Sequence, residues 1–204
     1  MEQERAHWEK IYQSKKSNEV SWTQDIPSTS LRFIHGFALS KNSSIIDIGG
    51  GESKLVDFLL EEGFEDITVL DIAASALDKV KERLGHRAHK VQWIVADVTE
   101  FKPTRHYDLW HDRATFHFLT SEEQIKKYVA IATDAVNVHG FMTIGTFSEN
   151  GPTKCSGLAI KQYTEQTLTA TLEKSFQKIA CITEDHQTPF HTTQSFLFCS
   201  FKRK

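Results

Sequence analysis

The stretch Ser44-Ile45-Ile46-Asp47-Ile48-Gly49-Gly50-Gly51 constrains this chain more than any other, because a short apolar run breaks directly into three glycines. Glycine is needed where a backbone turns sharply and approaches another group with no Cβ in the way. Downstream, Leu55, Val56, Leu59 and Leu60 fall on one side of a helix that Gly63 stops. Strand, bend and helix make one βα unit, and the helix start offers free N–H groups to a carboxylate or phosphate.

The same alternation continues along the chain. A second strand at 67–70 ends at Asp71, and a helix from Ser75 carries Leu77, Val80 and Leu84 before Gly85. Val91–Val95 reads as a third strand ending near Asp97, and 107–110 as a fourth, closed by His111-Asp112-Arg113. Ser121 and Gln124 form a capping box for a helix with Ile125, Tyr128, Val129, Ala132 and Val136 inward. Gly140 precedes a fifth strand at 141–147. Residues 148–163 form a loop of a length that usually has a function. Thr164 then caps a helix with Leu168 and Leu172 inward, and strands at 176–183 and 195–201 follow. Those last two lack a helical crossover between them, so they pair antiparallel. The prediction is a three-layer α/β sandwich: a mostly parallel seven-stranded sheet, last strand antiparallel, with helices on both faces.

At 204 residues the chain fits one domain, expected to comprise an N-terminal helical lid (1–40), a ligand-binding core (41–147) and an acceptor-side loop, helix and hairpin (148–204). A net charge of −3 gives no basic field for nucleic acid, and Lys202-Arg203-Lys204 reads as a solvated tail. No apolar run approaches the roughly 18 residues of a membrane span, and the N-terminus lacks a secretory signal. Cys155, Cys181 and Cys199 are odd in number with no short spacing, which argues against a disulfide framework and a zinc knuckle. A reducing, cytoplasmic location is therefore expected. Ten histidines include no HxxxH or HxH pair, so no metal site is expected.

Ligands of open parallel sheets bind at the carboxyl ends of the strands. Here those ends are polar in series: the Gly49–Gly51 bend, Asp71, Asp97, and His111-Asp112-Arg113. Asp71, twenty residues after Gly51, suits the two ribose hydroxyls of an adenosine. Asp97, followed by Val98, suits an adenine amino group. Either acid also reads as a helix cap or turn residue.

In order, Asp47-x-Gly49-x-Gly51, Leu70-Asp71, Ala96-Asp97-Val98, the run from Tyr107 to Asp112, and Gly140 before Thr143-Ile144-Gly145 resemble the class I S-adenosylmethionine (SAM)-dependent methyltransferases. The resemblance covers roughly residues 40–150 by motif and the remainder by strand order. It implies that Asp47 and the glycine bend hold the methionine end of SAM, Asp71 the ribose and Asp97-Val98 the adenine. The expected donor set is Asp47, Gly49, Gly50, Gly51, Ser53, Asp71, Ile72, Asp97, Val98 and Trp22. One departure is Ser53, with Glu52 before it, where the family often has a third glycine. Trp8 to Tyr12 and Ser21-Trp22 look like the family's N-terminal lid, whose aromatic faces suit a sulfonium. Trp8 and Tyr12, spaced i and i+4, equally read as a staple holding a helix to the body.

Methyl transfer is an in-line displacement that depends chiefly on alignment. Any base belongs at the end of the fourth strand, where His111, Asp112, Arg113 and His117 are the candidates. A histidine among apolar neighbours, as His117 is, equally reads as a bonded core residue. Asp112 and Arg113 equally read as structural ion-pair partners. If functional, Arg113 orients an anionic acceptor and Asp112 a cationic one. A nicotinamide reductase is disfavoured because Lys54 stands where its fingerprint needs a third glycine. A SAM-binding protein without catalysis is the rival from another class. The preferred acceptor is a small molecule, with protein lysine as the alternative.

Overall fold

In a computed structural model, residues 2–204 are described. Helices α1 (Glu2–Ser14) and α2 (Ser28–Gly36) precede β1 (Ser44–Ile48), α3 (Leu55–Glu61), β2 (Asp66–Asp71), α4 (Ala74–Leu84), β3 (Val91–Val95) and β4 (Tyr107–Arg113). Then come α5 (Glu122–Ala135), β5 (Val136–Phe147), a small hairpin of β6 (Lys154–Cys155) and β7 (Leu158–Ala159), α6 (Glu165–Leu172), β8 (Phe176–Gln187) and β9 (Thr193–Arg203).

The main sheet has seven strands in the order β3-β2-β1-β4-β5-β9-β8. Strands β1 to β5 run parallel, and β9 is antiparallel to both β5 and β8. Every residue of β1 is buried, as a central strand covered on both faces requires. One face packs Trp110, Tyr128, Leu168, Phe176 and Phe201 beneath α5 and α6. The other packs Ile34, Ile45, Leu55, Leu59, Leu77 and Val80 beneath α2, α3 and α4. Truncating one such side chain, Leu59→Ala for example, costs about 2–5 kcal/mol. Strand order reverses between β1 and β4, which opens a crevice at their carboxyl ends.

The structure corrects three local expectations. Strand β4 does not stop at Trp110: His111, Asp112 and Arg113 pair with Thr143, Ile144 and Gly145 of β5. Those three polar residues are thus held on a strand, pointing alternately to opposite faces. Strand β5 begins at Val136, directly after α5, so Val136 is a strand residue and Gly140 lies inside the strand. The pairing shifts register between Tyr107 and Leu109, where Asn137 Nδ2 donates to Asp108 (2.8 Å).

Cysteine is the third correction. Cys181 and Cys199 form a disulfide. Their separation of 18 residues carries no signal in sequence, but the β8–β9 register sets them directly opposite each other. Cys155 remains a buried free thiol. No helix among the described residues is long and apolar enough to cross a membrane.

Candidate functional site

The glycine bend is shaped by what surrounds it. Gly49 has φ +61°, and a Cβ there would run into Thr115 Oγ1; Gly51 has φ +51°, and a Cβ would meet the Tyr12 hydroxyl. Both positions need a left-handed backbone and a missing side chain. The departure at residues 52–53 also has a physical reading. Ser53 Oγ accepts from Leu55 N (3.1 Å) at the start of α3, while Arg83 donates to the carbonyls of Glu52 (3.0 Å) and Ser53 (2.7 Å). Side-chain bonds thereby pin the loop where a further glycine would only have turned it.

Asp71 ends β2 with both oxygens engaged: Oδ2 accepts from Gly51 N and Oδ1 from Ala73 N, each at 2.8 Å. Burial pushes its carboxyl up to about 6, although those two backbone donors pull the other way. Next to it, Glu9 of α1 reaches the start of α4, accepting from Ala74 N (2.6 Å) and Ser75 N (3.2 Å). A carboxylate at a helix N-terminus satisfies orphan donors and favours the dipole. Here it docks the N-terminal helix beside the bend. Asp97 Oδ1 accepts from Thr99 N and Thr99 Oγ1, both at 2.8 Å. It is a turn-capping acid that also faces the cavity.

On β4 the three polar residues diverge. His111 is buried, its Nδ1 2.7 Å from Asp47 Oδ1 and its Nε2 2.8 Å from Ser30 Oγ. This row ties β1, β4 and α2 together and fixes the Asp47 carboxylate. Asp112 faces the other way: Oδ1 accepts from Thr115 N (3.0 Å) and Phe116 N (3.2 Å), Oδ2 from the Tyr128 hydroxyl (2.7 Å). Burial pushes Asp112 up to about 6. Arg113 Nη1 donates to Trp22 O (2.9 Å), and its guanidinium lies over the Phe196 ring (4.9 Å). Burial brings Arg113 down to about 10.

These elements enclose a cavity of about 520 Å³. Of the residues singled out in the sequence, Asp47, Gly49, Gly50, Ser53, Asp71, Ile72, Asp97, Val98, Trp22, His111 and Arg113 line it. Three do not. Gly51 turns its N–H to Asp71, Asp112 faces Tyr128, and His117 stacks flat on Phe147 (4.4 Å). His117 Nδ1 accepts from Phe147 N (3.3 Å), and burial together with Arg113 brings the ring down to about 3. It is neutral at physiological pH. His186 does not line the cavity, and its Nε2 donates to Ser21 O (2.8 Å).

Aromatic side chains roof the space. Trp8 packs edge-on against Trp22 (5.8 Å) and Phe118 (5.0 Å), and Tyr12 sits 6.4 Å from Trp22. From the opposite side the 148–163 segment contributes Cys155, Leu158 and Ala159. Sequence reading missed Ser30, Thr115, Arg83 and the capping role of Glu9. The only sequence signal for any of them is the unoccupied cap at α4, whose preceding residue, Ala73, accepts no side-chain bond.

A parallel sheet in which β9 alone runs reversed, between β5 and β8, and a glycine-bent, acid-tipped cavity at the switch point are the class I methyltransferase fold. Comparison with known proteins agrees. Residues 45–140 match the model of a methyltransferase domain family. Malonyl-[acyl-carrier protein] O-methyltransferase of Anoxybacillus flavithermus is 32% identical over 126 residues, 60% of this chain and 48% of that protein. The eEF1A lysine and N-terminal methyltransferase of Mus musculus is 27% identical over 121 residues, 58% of this chain and 17% of that one. The chain thus spans half or less of the length of these two relatives. The N-methyltransferase NodS of Bradyrhizobium japonicum, solved with S-adenosylhomocysteine (SAH), shares the fold at a TM-score of 0.71 and 15% identity, over 97% of this chain and 98% of that one. Residues 45–140 thus match a methyltransferase domain, and the fold around them is that of the class I SAM-dependent methyltransferases.

Proposed function

We propose that this protein moves the methyl group of SAM to a small-molecule acceptor. The supporting observation is one continuous cavity. It runs from the glycine bend and Asp71, where the resemblance lays the donor, to Arg113, Phe147 and Phe196 on the β4–β5–β9 side. The residue roles follow the strand tips: Asp71 takes the ribose hydroxyls, Asp97 and Val98 border the adenine, and Asp47, braced by His111, meets the methionine end. The acceptor's lone pair attacks the methyl carbon as the carbon–sulfur bond breaks, and its electrons return to sulfur to give SAH.

Trp8, Tyr12 and Trp22 supply aromatic faces to a sulfonium and keep water out. His111 commits both ring nitrogens to Asp47 and Ser30, and His117 lies outside the cavity. Alignment rather than a protein base therefore carries the rate in this reading. The roof of N-terminal aromatics and the 148–163 segment favours a small acceptor over a folded one. A lysine side chain threaded from a protein is the second reading, favoured by the likeness to the eEF1A methyltransferase. Cytoplasmic residence belongs to the same proposal. The Cys181–Cys199 bond weighs against it, because a reducing compartment holds such pairs as thiols.

The test is transfer of label from methyl-labelled SAM into a lysate, split into protein and low-mass fractions. Label in the low-mass fraction supports the small acceptor. Label confined to protein supports the second reading. Tight SAH binding with no label in either fraction points instead to a protein that binds the donor without catalysis.

A further inference from the structure

Arg113, in the cavity wall, is a charged side chain whose hydrogen bonding is incomplete. Its Nη1 is used by Trp22 O (2.9 Å), while Nε and Nη2 are buried with no partner. Those two nitrogens form one edge of the guanidinium, the pair of parallel N–H groups that fits a carboxylate in a two-pronged fork. No carboxylate among the described residues lies within ion-pair distance of Arg113. The two acids that act on it through space are Glu184 and Asp47, and each is engaged elsewhere, Glu184 by Thr29 and Asp47 by His111.

Behind the cavity wall, Phe147 N–H occupies His117 Nδ1, so the ring proton sits on Nε2, which is buried and unpaired as well. Gln194, whose Nε2 donates to Ser21 Oγ, leaves its Oε1 unpaired too, but a neutral amide oxygen does not offset a guanidinium. A buried cation with two free donors is costly unless something ionic completes it. Arg113, Trp22, Phe147, Phe196, Phe118 and Leu158 all line the same cavity, so what completes it has an apolar body.

Resting on the methyl-transfer reading, we propose that the Nε–Nη2 edge of Arg113 docks a carboxylate of the methyl acceptor, which makes the acceptor a small organic acid with an apolar body. Arg113 then fixes which acceptor is chosen, while the strand-tip acids fix the donor. One positive charge meets one negative charge. The amide or ester of the same acid offers the edge one neutral carbonyl oxygen, leaves the charge uncompensated and binds more weakly.

The experiment measures binding of benzoate, phenylacetate and hexanoate, each against its own amide, to the full-length protein with and without saturating SAH, by calorimetry. The expected result is that at least one acid binds, and that its amide binds about ten- to a hundred-fold more weakly, the range for losing a charged hydrogen bond. Arg113→Met abolishes that preference. Arg113→Lys, which keeps the charge and loses the fork, recovers only part of it. A general loosening of the segment around Trp22, which Arg113 holds through Trp22 O, would weaken acid and amide together, so the acid-to-amide ratio isolates the carboxylate contact. The proposal is overturned if no acid binds in either state, if amides bind equally well, or if Arg113→Met keeps the preference. Absence of SAH binding with acid selectivity intact would instead sink the methyl-transfer reading and leave the arginine site standing.

Discussion

Asp71 accepts a hydrogen bond from the backbone N–H of Gly51 at 2.8 Å, so the acid that ends β2 holds the glycine bend that ends β1. Two strand tips are thereby locked into one surface before any ligand arrives. In the proposed reading, a ribose seated there would meet a carboxylate whose orientation is already fixed, which lowers the ordering cost of binding.

This carboxyl is pushed up to about 6 by burial, and hydroxyl donors need it ionised. SAH affinity is therefore expected to be constant above pH about 6 and to weaken below it, approaching one proton taken up per ligand lost. Asp71→Asn removes that pH dependence and weakens SAH by about ten- to a hundred-fold, since an amide cannot accept from both Gly51 and Ala73 and serve hydroxyls as well. Calorimetric titrations of both proteins between pH 5 and 8 check it. A wild-type Kd that stays level across the interval would remove Asp71 from the donor site.

Much of this arrangement was legible in the sequence because it depends on local patterns. Apolar runs, glycine stops and the Ser121–Gln124 capping box give the strands and helices, and the five βα units predict the sheet that is found. Strand-end acids could be named because the tips of a parallel sheet are where polar residues gather. What stayed hidden depends on long-range register. Whether His111 faces Asp47 and Ser30, or Asp112 faces Tyr128, is decided by pleat and by pairing across β1, β4 and β5. Cys181 meets Cys199 through the same kind of register, across β8 and β9.

Asp112, named from sequence as a catalytic candidate, offers a way to separate stability from chemistry. Tyr128 donates to its Oδ2 (2.7 Å) and accepts from Trp110 Nε1 (2.8 Å), and all three residues are buried. Tyr128→Phe strands a carboxylate oxygen and an indole N–H, at an expected cost of about 3 kcal/mol. The pH dependence has a definite sign. Asp112 sits at about 6 in the fold against 3.8 unfolded, so the folded state binds the extra proton and this group lowers stability as pH rises from about 4 to 6. Losing the hydroxyl raises the folded value further, so the deficit of the variant grows above pH 6 and shrinks toward pH 4. Denaturant titrations at the two ends show it. SAH affinity of folded Tyr128→Phe is expected to be unchanged, because neither Tyr128 nor Asp112 lines the cavity. A deficit that grows toward low pH would reverse the assignment.

The Cys181–Cys199 bond joins the two strands that form the antiparallel edge of the sheet, β9 packing on β5 and β8 lying outermost. Closing a loop of that length removes freedom chiefly from the unfolded chain, which corresponds to about 3 kcal/mol. Reduction is therefore expected to lower the thermal midpoint by several degrees, about 2–4 °C per kcal/mol for a chain of this size. A Cys181→Ala/Cys199→Ala protein should melt at one temperature with or without reductant. Thiol counting gives a second reading: in denaturant alone only Cys155 reacts, whereas prior reduction exposes all three cysteines. Phe196 of β9 stands at the cavity end of this edge, with Arg113 of β4 over its ring, so loosening β8 from β9 is expected to weaken acceptor binding more than SAH binding. Three reactive thiols without reductant would show that the pair stays open in solution, and with it the stabilisation assigned here would vanish.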